Sequence, residues 1–166
     1  GETFVTRKIT RAIAKIALGM QKTVFLGNLS SKRDWGHAKD YIKAMYLVLQ
    51  HHKPDDFVIA TGKTTEVREF VRMAFSEVGV TIEFKGSGSD EIGIVSVVSN
   101  DPKFRDIRQH VKTGDEVVKV NPRYYRPTEV DLLIGDASKA MKELNWKPEY
   151  ELKDLIAEMI KSDLKL

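Results

Sequence analysis

The residues of this chain best suited to chemistry are cations set beside turns and aromatic rings. Lys8 is one. Arg33 opens the run Arg33-Asp34-Trp35-Gly36-His37-Ala38-Lys39-Asp40-Tyr41, and Arg126 lies in Asn121-Pro122-Arg123-Tyr124-Tyr125-Arg126-Pro127-Thr128-Glu129. A guanidinium forks onto phosphate oxygens, and a carboxylate such as Glu129 accepts hydrogen bonds from sugar hydroxyls or a base edge. Pro127 biases Arg126 toward extended backbone, which sets the direction from which its side chain reaches a cleft. Spacing alone does not join these groups. Taken singly, each cation reads as a solvated surface charge, and Trp35 and Tyr41 read as packing residues.

Other chemistries find less support. Gly86-Ser87-Gly88 is followed by Ser89-Asp90-Glu91, with no third glycine and no helix pattern, so it is not a dinucleotide-binding turn. His37, His51, His52 and His110 lack carboxylates at metal-ligand spacing, so no metal site is expected. His51 and His52 suit the negative end of a helix dipole. None of the tyrosines has a lysine four residues on, as a Tyr-x-x-x-Lys proton-transfer pair requires.

The elements that must position the cations follow from periodicity. Val5, Ile9, Ala12, Ile13, Ile16 and Ala17 form a helical stripe over residues 3–18, stopped at Gly19. A short strand is expected over 23–26. Ala38, Tyr41, Ile42, Met45 and Leu49 mark a second helix, and Phe57-Val58-Ile59-Ala60 a brief apolar strand. Thr65 reads as the N-cap of a third helix with Glu66 and Glu69 in its first turn and Val67, Phe70, Val71, Ala74 and Val78 on one face. Strands are expected over 81–84, 94–99 and 116–120, with a flexible loop over 86–89 and an exposed, mobile connection over 100–115. Asp136 caps a helix running to Leu144, and Leu152, Leu155, Ile156, Met159, Ile160 and Leu164 mark the last one. This alternation predicts one mixed α/β unit with a loop-rich centre.

Composition narrows the class. The 166 residues, 42% hydrophobic and 31% charged, suit one globular core, and a net charge of +3 with interspersed signs does not argue for nucleic acid or membrane. Cysteine is absent, which excludes disulfides and thiolate chemistry and fits a cytoplasmic location. A chain that opens on Gly-Glu-Thr-Phe, with a periodic element already under way, reads as a piece of something longer.

Val5-Thr6-Arg7-Lys8, Leu26-Gly27-Asn28, the run from Lys32 to Tyr41, Asp56 to Gly62, Tyr125-Arg126-Pro127-Thr128-Glu129-Val130-Asp131 and Leu144-Asn145-Trp146-Lys147-Pro148 occur in order. Together they closely resemble the C-terminal half of the GDP-mannose 4,6-dehydratase family, extended short-chain dehydrogenases/reductases. The resemblance covers essentially the whole chain and is weakest over residues 90–114. It implies an α/β fold: the substrate-binding part of a Rossmann-type enzyme, without its N-terminal dinucleotide-binding half. Residues 1–166 would be a single partial unit, with about 37–62 packing on the absent dinucleotide-binding sheet. Cut from that sheet, the chain is expected to expose apolar surface and to associate or rearrange.

The family's reaction removes hydride from C4 of the hexose, eliminates water across C5 and C6, and returns hydride to C6, giving GDP-4-keto-6-deoxymannose. The resemblance therefore implies an NADP-dependent lyase of the route to GDP-fucose and related deoxyhexoses. NADP and the catalytic residues would belong to the missing half, leaving this chain inactive alone. GDP-mannose and that half are the implied partners, with a homo-oligomer in the full enzyme. Lys8, Arg33 and Arg126 fall where the family holds diphosphate and nucleoside, Glu129 where it binds a substrate hydroxyl, and Val5 and Asn28 border the base. A stand-alone GDP or GDP-sugar binding module, or part of a related nucleotide-sugar reductase or epimerase, is the alternative.

Overall fold

A computed structural model describes residues 4–125 and 130–165. Arg126 and Glu129, two of the expected ligand residues, lie outside them. The first helix, α1 (Val5–Ala17), buries Ile9, Ala12, Ile13, Ile16 and Ala17, the stripe that the spacing predicts. Its chain then turns at Gly19, with φ of 73°, into β1 (Val24–Leu26). After a tight loop come β2 (Lys32–Arg33) and α2 (Ala38–Leu49), then β3 (Thr65–Glu66) and α3 (Val67–Glu77). β4 (Val80–Lys85) and β5 (Ile92–Val98) form a hairpin; β6 (Glu116–Val120), β7 (Leu132–Leu133), α4 (Ser138–Glu143) and α5 (Leu152–Asp163) complete the order.

A four-stranded sheet runs β1-β6-β5-β4, with β1 parallel to β6 and the remaining pairs antiparallel. Helices α1, α3 and α5 cover it, and Ile13, Phe70, Phe75, Val118 and Ile156 are completely buried in the resulting core. Trp35 packs edge-on to Phe70, centroids 4.9 Å apart, as the packing reading of that residue requires. A smaller cluster joins Ala44 of α2 to Ala137, Ala140, Leu144 and Trp146 around α4.

A second, three-stranded sheet, β3-β2-β7, is built of two-residue strands. Arg33 lies on its central strand, opposite Thr65 on one side and Leu133 on the other. Strands this short carry too few residues for a period-two signal, so the sequence reads them as loops.

Several expectations need correction. Residues 57–60 form no strand, because a strand needs a ladder partner and no neighbouring strand pairs with them among the described residues. Thr65 does not cap α3; it and Glu66 are drawn into pairing with β2, and Glu66 takes the N-cap position, leaving Glu69 in the first turn. The connection over 100–115 is exposed at many positions yet anchored. Val111 is buried, and the Arg108 guanidinium donates to the carbonyls of Ser99 at 2.8 Å and Asp101 at 3.1 Å. Residues 86–89 form the loop expected there, with positive φ at Gly86 and Gly88 and a single 3-10 turn over Gly88–Asp90.

On α2 the helix forms where expected, and its apolar face is exposed. Ile42 and Met45 are each 64% exposed and Leu49 is 80% exposed, whereas Asp40 and Ala44 are buried.

Candidate functional site

Loop 27–31 is where the site is built. The β1 backbone ends at Leu26, whose carbonyl accepts from Asn121 N–H at 2.8 Å. That bond draws the turn Pro122–Tyr124 so close to Gly27 that a Cβ there would lie 2.4 Å from the Tyr124 carbonyl oxygen, so only glycine fits. Asn28 then closes an Asx turn, its Oδ1 accepting from Ser30 N–H at 2.9 Å.

The first N–H groups of α3 finish the loop. Arg68 N–H donates to Leu29 O and Val67 N–H to Ser31 O, both at 3.0 Å. Arg68 also locks the loop by its side chain. Its guanidinium forks onto the buried Glu91 with two contacts of 2.9 Å, reaches Glu66 at 2.7 Å and donates to Ser30 Oγ at 3.0 Å.

The result is a cleft of about 340 Å³ walled by Val5, Lys8, Leu26, Gly27, Asn28, Ser31, Arg33, Val67, Arg123 and Tyr124. Four of the residues singled out from the sequence, Val5, Lys8, Asn28 and Arg33, therefore share one concavity. Arg123 and Tyr124 were missed in that role. They stand in the same Pro- and Tyr-rich run as Arg126, and the close approach at Gly27 brings them to the cleft.

Each cation is held differently. Lys8 lies one turn into α1, with its Nζ 3.6 Å from the centre of the Tyr124 ring. Burial pushes the Lys8 pKa below that of a free lysine. The Arg33 guanidinium donates to the carbonyls of Lys32 at 2.9 Å and Val130 at 2.6 Å, which fixes its stem along the small sheet. Asn121 accepts from Arg123 N–H at 3.0 Å and so fixes the turn that carries Arg123. No carboxylate lines the cleft among the described residues. Three cations lining one cleft make a field that attracts anions, and an aromatic ring and two valines beside them offer apolar contact.

The rest of the Arg33–Tyr41 run is scaffold. Asp34 accepts from Thr61 N–H at 3.1 Å, Thr61 Oγ1 at 2.5 Å and Gly62 N–H at 2.8 Å, tying the segment after residue 60 to the strand that carries Arg33. His37 caps α2 by accepting from Lys39 N–H at 3.2 Å. Buried Asp40 accepts from the backbone N–H groups of Glu149 and Tyr150. No cluster of side chains suited to hold a metal occurs among the described residues.

The architecture defines the class. The fold is shared with RMD of Pseudomonas aeruginosa, solved with NADPH, at a TM-score of 0.72 and 15% identity over 99% of this chain and 44% of that one. UDP-glucose 4-epimerase of Bifidobacterium longum, solved with NAD+ and UDP, aligns at 0.62 and 20% identity over 98% of this chain and 40% of that chain. This is the mixed α/β fold found in part of each of these chains. The family is narrower: residues 1–159 match the family described as GDP-mannose 4,6 dehydratase, and the chain belongs to it.

Curated relatives agree. The GDP-mannose 4,6-dehydratase of Yersinia enterocolitica is 54% identical over 164 residues, which are 99% of this chain and 43% of that protein. GDP-mannose 4,6 dehydratase 2 of Caenorhabditis elegans is 51% identical over 166 residues, all of this chain and 39% of that protein. The chain thus spans about two fifths of the length of these relatives.

Proposed function

We propose that this chain is the GDP-mannose-binding part of an NADP-dependent lyase that forms GDP-4-keto-6-deoxymannose, and that it is inactive alone. The observation that carries the proposal is the single cleft on which the cationic side chains of Lys8, Arg33 and Arg123 converge. Lys8 and Arg33 neutralise the diphosphate, while Val5 and Asn28 border the base. Arg126 and Glu129 complete the site in this reading, although they lie outside the described residues. Anchoring the unreacting GDP end converts binding energy into orientation of the hexose.

The residues present do not fit a dinucleotide. Among the described residues, Gly86 and Gly88 serve a connection between antiparallel β4 and β5, and the turn after them is a 3-10 turn of three residues. A dinucleotide cradle needs a strand-to-helix turn with a full helix N-terminus aimed at the pyrophosphate. In this proposal NADP and the reacting groups belong to the remainder of the full enzyme, a cytoplasmic homo-oligomer.

What supports a missing remainder is the outer face of α2, where Ile42, Met45, Tyr46 and Leu49 are all more than 60% exposed. Beside it runs a groove of about 410 Å³ lined by Trp35, Tyr41, Ile42, Met45, Leu155 and Met159. Residues 37–62 pack there on the dinucleotide-binding sheet in the whole enzyme, covering this apolar face.

Calorimetry with GDP, GDP-mannose and UDP-glucose tests the substrate. GDP-mannose is expected to bind at least tenfold more tightly than UDP-glucose; equal affinities would sink the assignment.

A second prediction follows from Lys8. Because its folded pKa lies below the unfolded value of 10.5, burial opposes its charge at neutral pH, and the unfolded chain holds more protons between the two values. This contribution makes stability rise with pH as the folded-state Lys8 deprotonates. Anion binding needs the charged form, so GDP affinity should fall over the same interval, with proton uptake on binding. Calorimetry in buffers of different ionisation enthalpy measures that uptake. Lys8→Arg should abolish it, and an unchanged uptake in that variant would exclude Lys8 as the titrating contact.

A further inference from the structure

Ser31 is 3% exposed, and its Oγ has no hydrogen-bond partner among the described residues. A buried hydroxyl without a partner is costly, and such groups are uncommon in folded proteins. Its backbone cannot move to relieve this. Val67 N–H holds the Ser31 carbonyl at 3.0 Å, and Lys32 N–H donates to Asp131 O at 2.7 Å. The neighbouring Ser30 has its hydroxyl occupied by Arg68, which makes the isolation of Ser31 a local choice rather than a property of the loop.

Ser31 also lines the cleft with Lys8 and Arg33. Alternation along extended backbone puts Ser31 and Arg33 on one side and Lys32 on the other. Consistent with that, Lys32 is exposed and absent from the cleft wall.

We propose that Ser31 is a ligand-contacting residue, its buried hydroxyl donating to an oxygen of the bound nucleotide beside the Arg33 guanidinium. This inference rests on the reading of the cleft as a GDP site and adds to it a neutral contact. The ligand completes a hydrogen bond that the protein leaves unmade, so the hydroxyl destabilises the free chain and stabilises the complex.

That opposition of signs gives the test. GDP binding and thermal unfolding are measured for the 166-residue chain, for Ser31→Ala and for Ser31→Cys, which fills nearly the same space with a weak hydrogen-bonding group. Both variants are expected to lose about fivefold in GDP affinity, the size of one net hydrogen bond, while the ligand-free Tm of Ser31→Ala stays level or rises. Wild-type affinity in either variant, or a lower ligand-free Tm in Ser31→Ala, would overturn the inference while leaving the GDP site standing. Failure of the unsubstituted chain to bind GDP would remove both.

Discussion

Arg68→Ala is expected to destabilise the chain by ~3 kcal/mol or more, the usual cost of removing one partner of a buried ion pair. Glu91 is 4% exposed and receives two of the guanidinium's N–H groups, so truncation strands its carboxylate away from water. The same change frees Glu66 and Ser30 Oγ, both held by that guanidinium, and the loop wall of the cleft loses its side-chain anchor. Urea denaturation should show the loss, and calorimetry should show weaker GDP binding by the folded fraction. The double variant Arg68→Met with Glu91→Leu removes both charges and should recover most of the stability, because neither group is then left uncompensated. It should not recover GDP affinity, since Ser30 still lacks its partner. A double variant as unstable as the single would mean that packing, not the stranded charge, sets the cost.

Trp146→Ala is expected to cost ~4 kcal/mol, in the range for deleting a large buried aromatic side chain. Trp146 is 1% exposed and stands at the centre of the smaller core, against Ala44, Ala137, Ala140 and Leu144. Its Nε1 also donates to the Asp40 carbonyl at 2.9 Å, while the Asp40 carboxylate takes the N–H groups of Glu149 and Tyr150. The substitution therefore removes the main clamp between α2 and the segment after α4. Trp146→Phe keeps most of the packing and should cost ~1 kcal/mol, about one hydrogen bond.

The chain has only two tryptophans, so in Trp146→Ala the fluorescence reports Trp35 alone, packed on Phe70 in the main core. Its unfolding midpoint should shift less than the midpoint followed by circular dichroism. Coincident shifts would mean that the two clusters unfold as one unit.

The sequence carried the helices of the main core well. The stripes of α1 and α3 and the stop at Gly19, whose φ is 73°, are local features, set by side-chain periodicity and by a conformation that glycine adopts at little cost. β6 over 116–120 was legible for the same reason. The apolar pattern of α2 located the helix but not its buried face. Periodicity reports which side is apolar, and whether that side is covered depends on what lies against it. Residues 57–60 likewise have strand composition without a strand to pair with.

Of the candidate site, the residue types of Lys8 and Arg33 and the resemblance carried by the Arg33–Tyr41 run were available from the sequence. So were Val5 and Asn28, which line the same cleft. Arg123 and Tyr124 were not, because their place depends on the contact between Gly27 and a carbonyl almost a hundred positions away. Nor was the division of labour inside the Arg33–Tyr41 run, in which Arg33 lines the cleft while Asp34, His37 and Asp40 fasten backbone.

By itself the sequence determined the cations, the helix that carries Lys8 and the family to which the chain belongs, since these depend on residue identity and short-range order. Only the tertiary structure decided that Lys8, Ser31 and Arg33 share a cleft and that the Ser31 hydroxyl has no partner among the described residues. Convergence and burial are properties of segments far apart in the chain, brought together by the Leu26–Asn121 bond, the small β3-β2-β7 sheet and the Arg68 anchor.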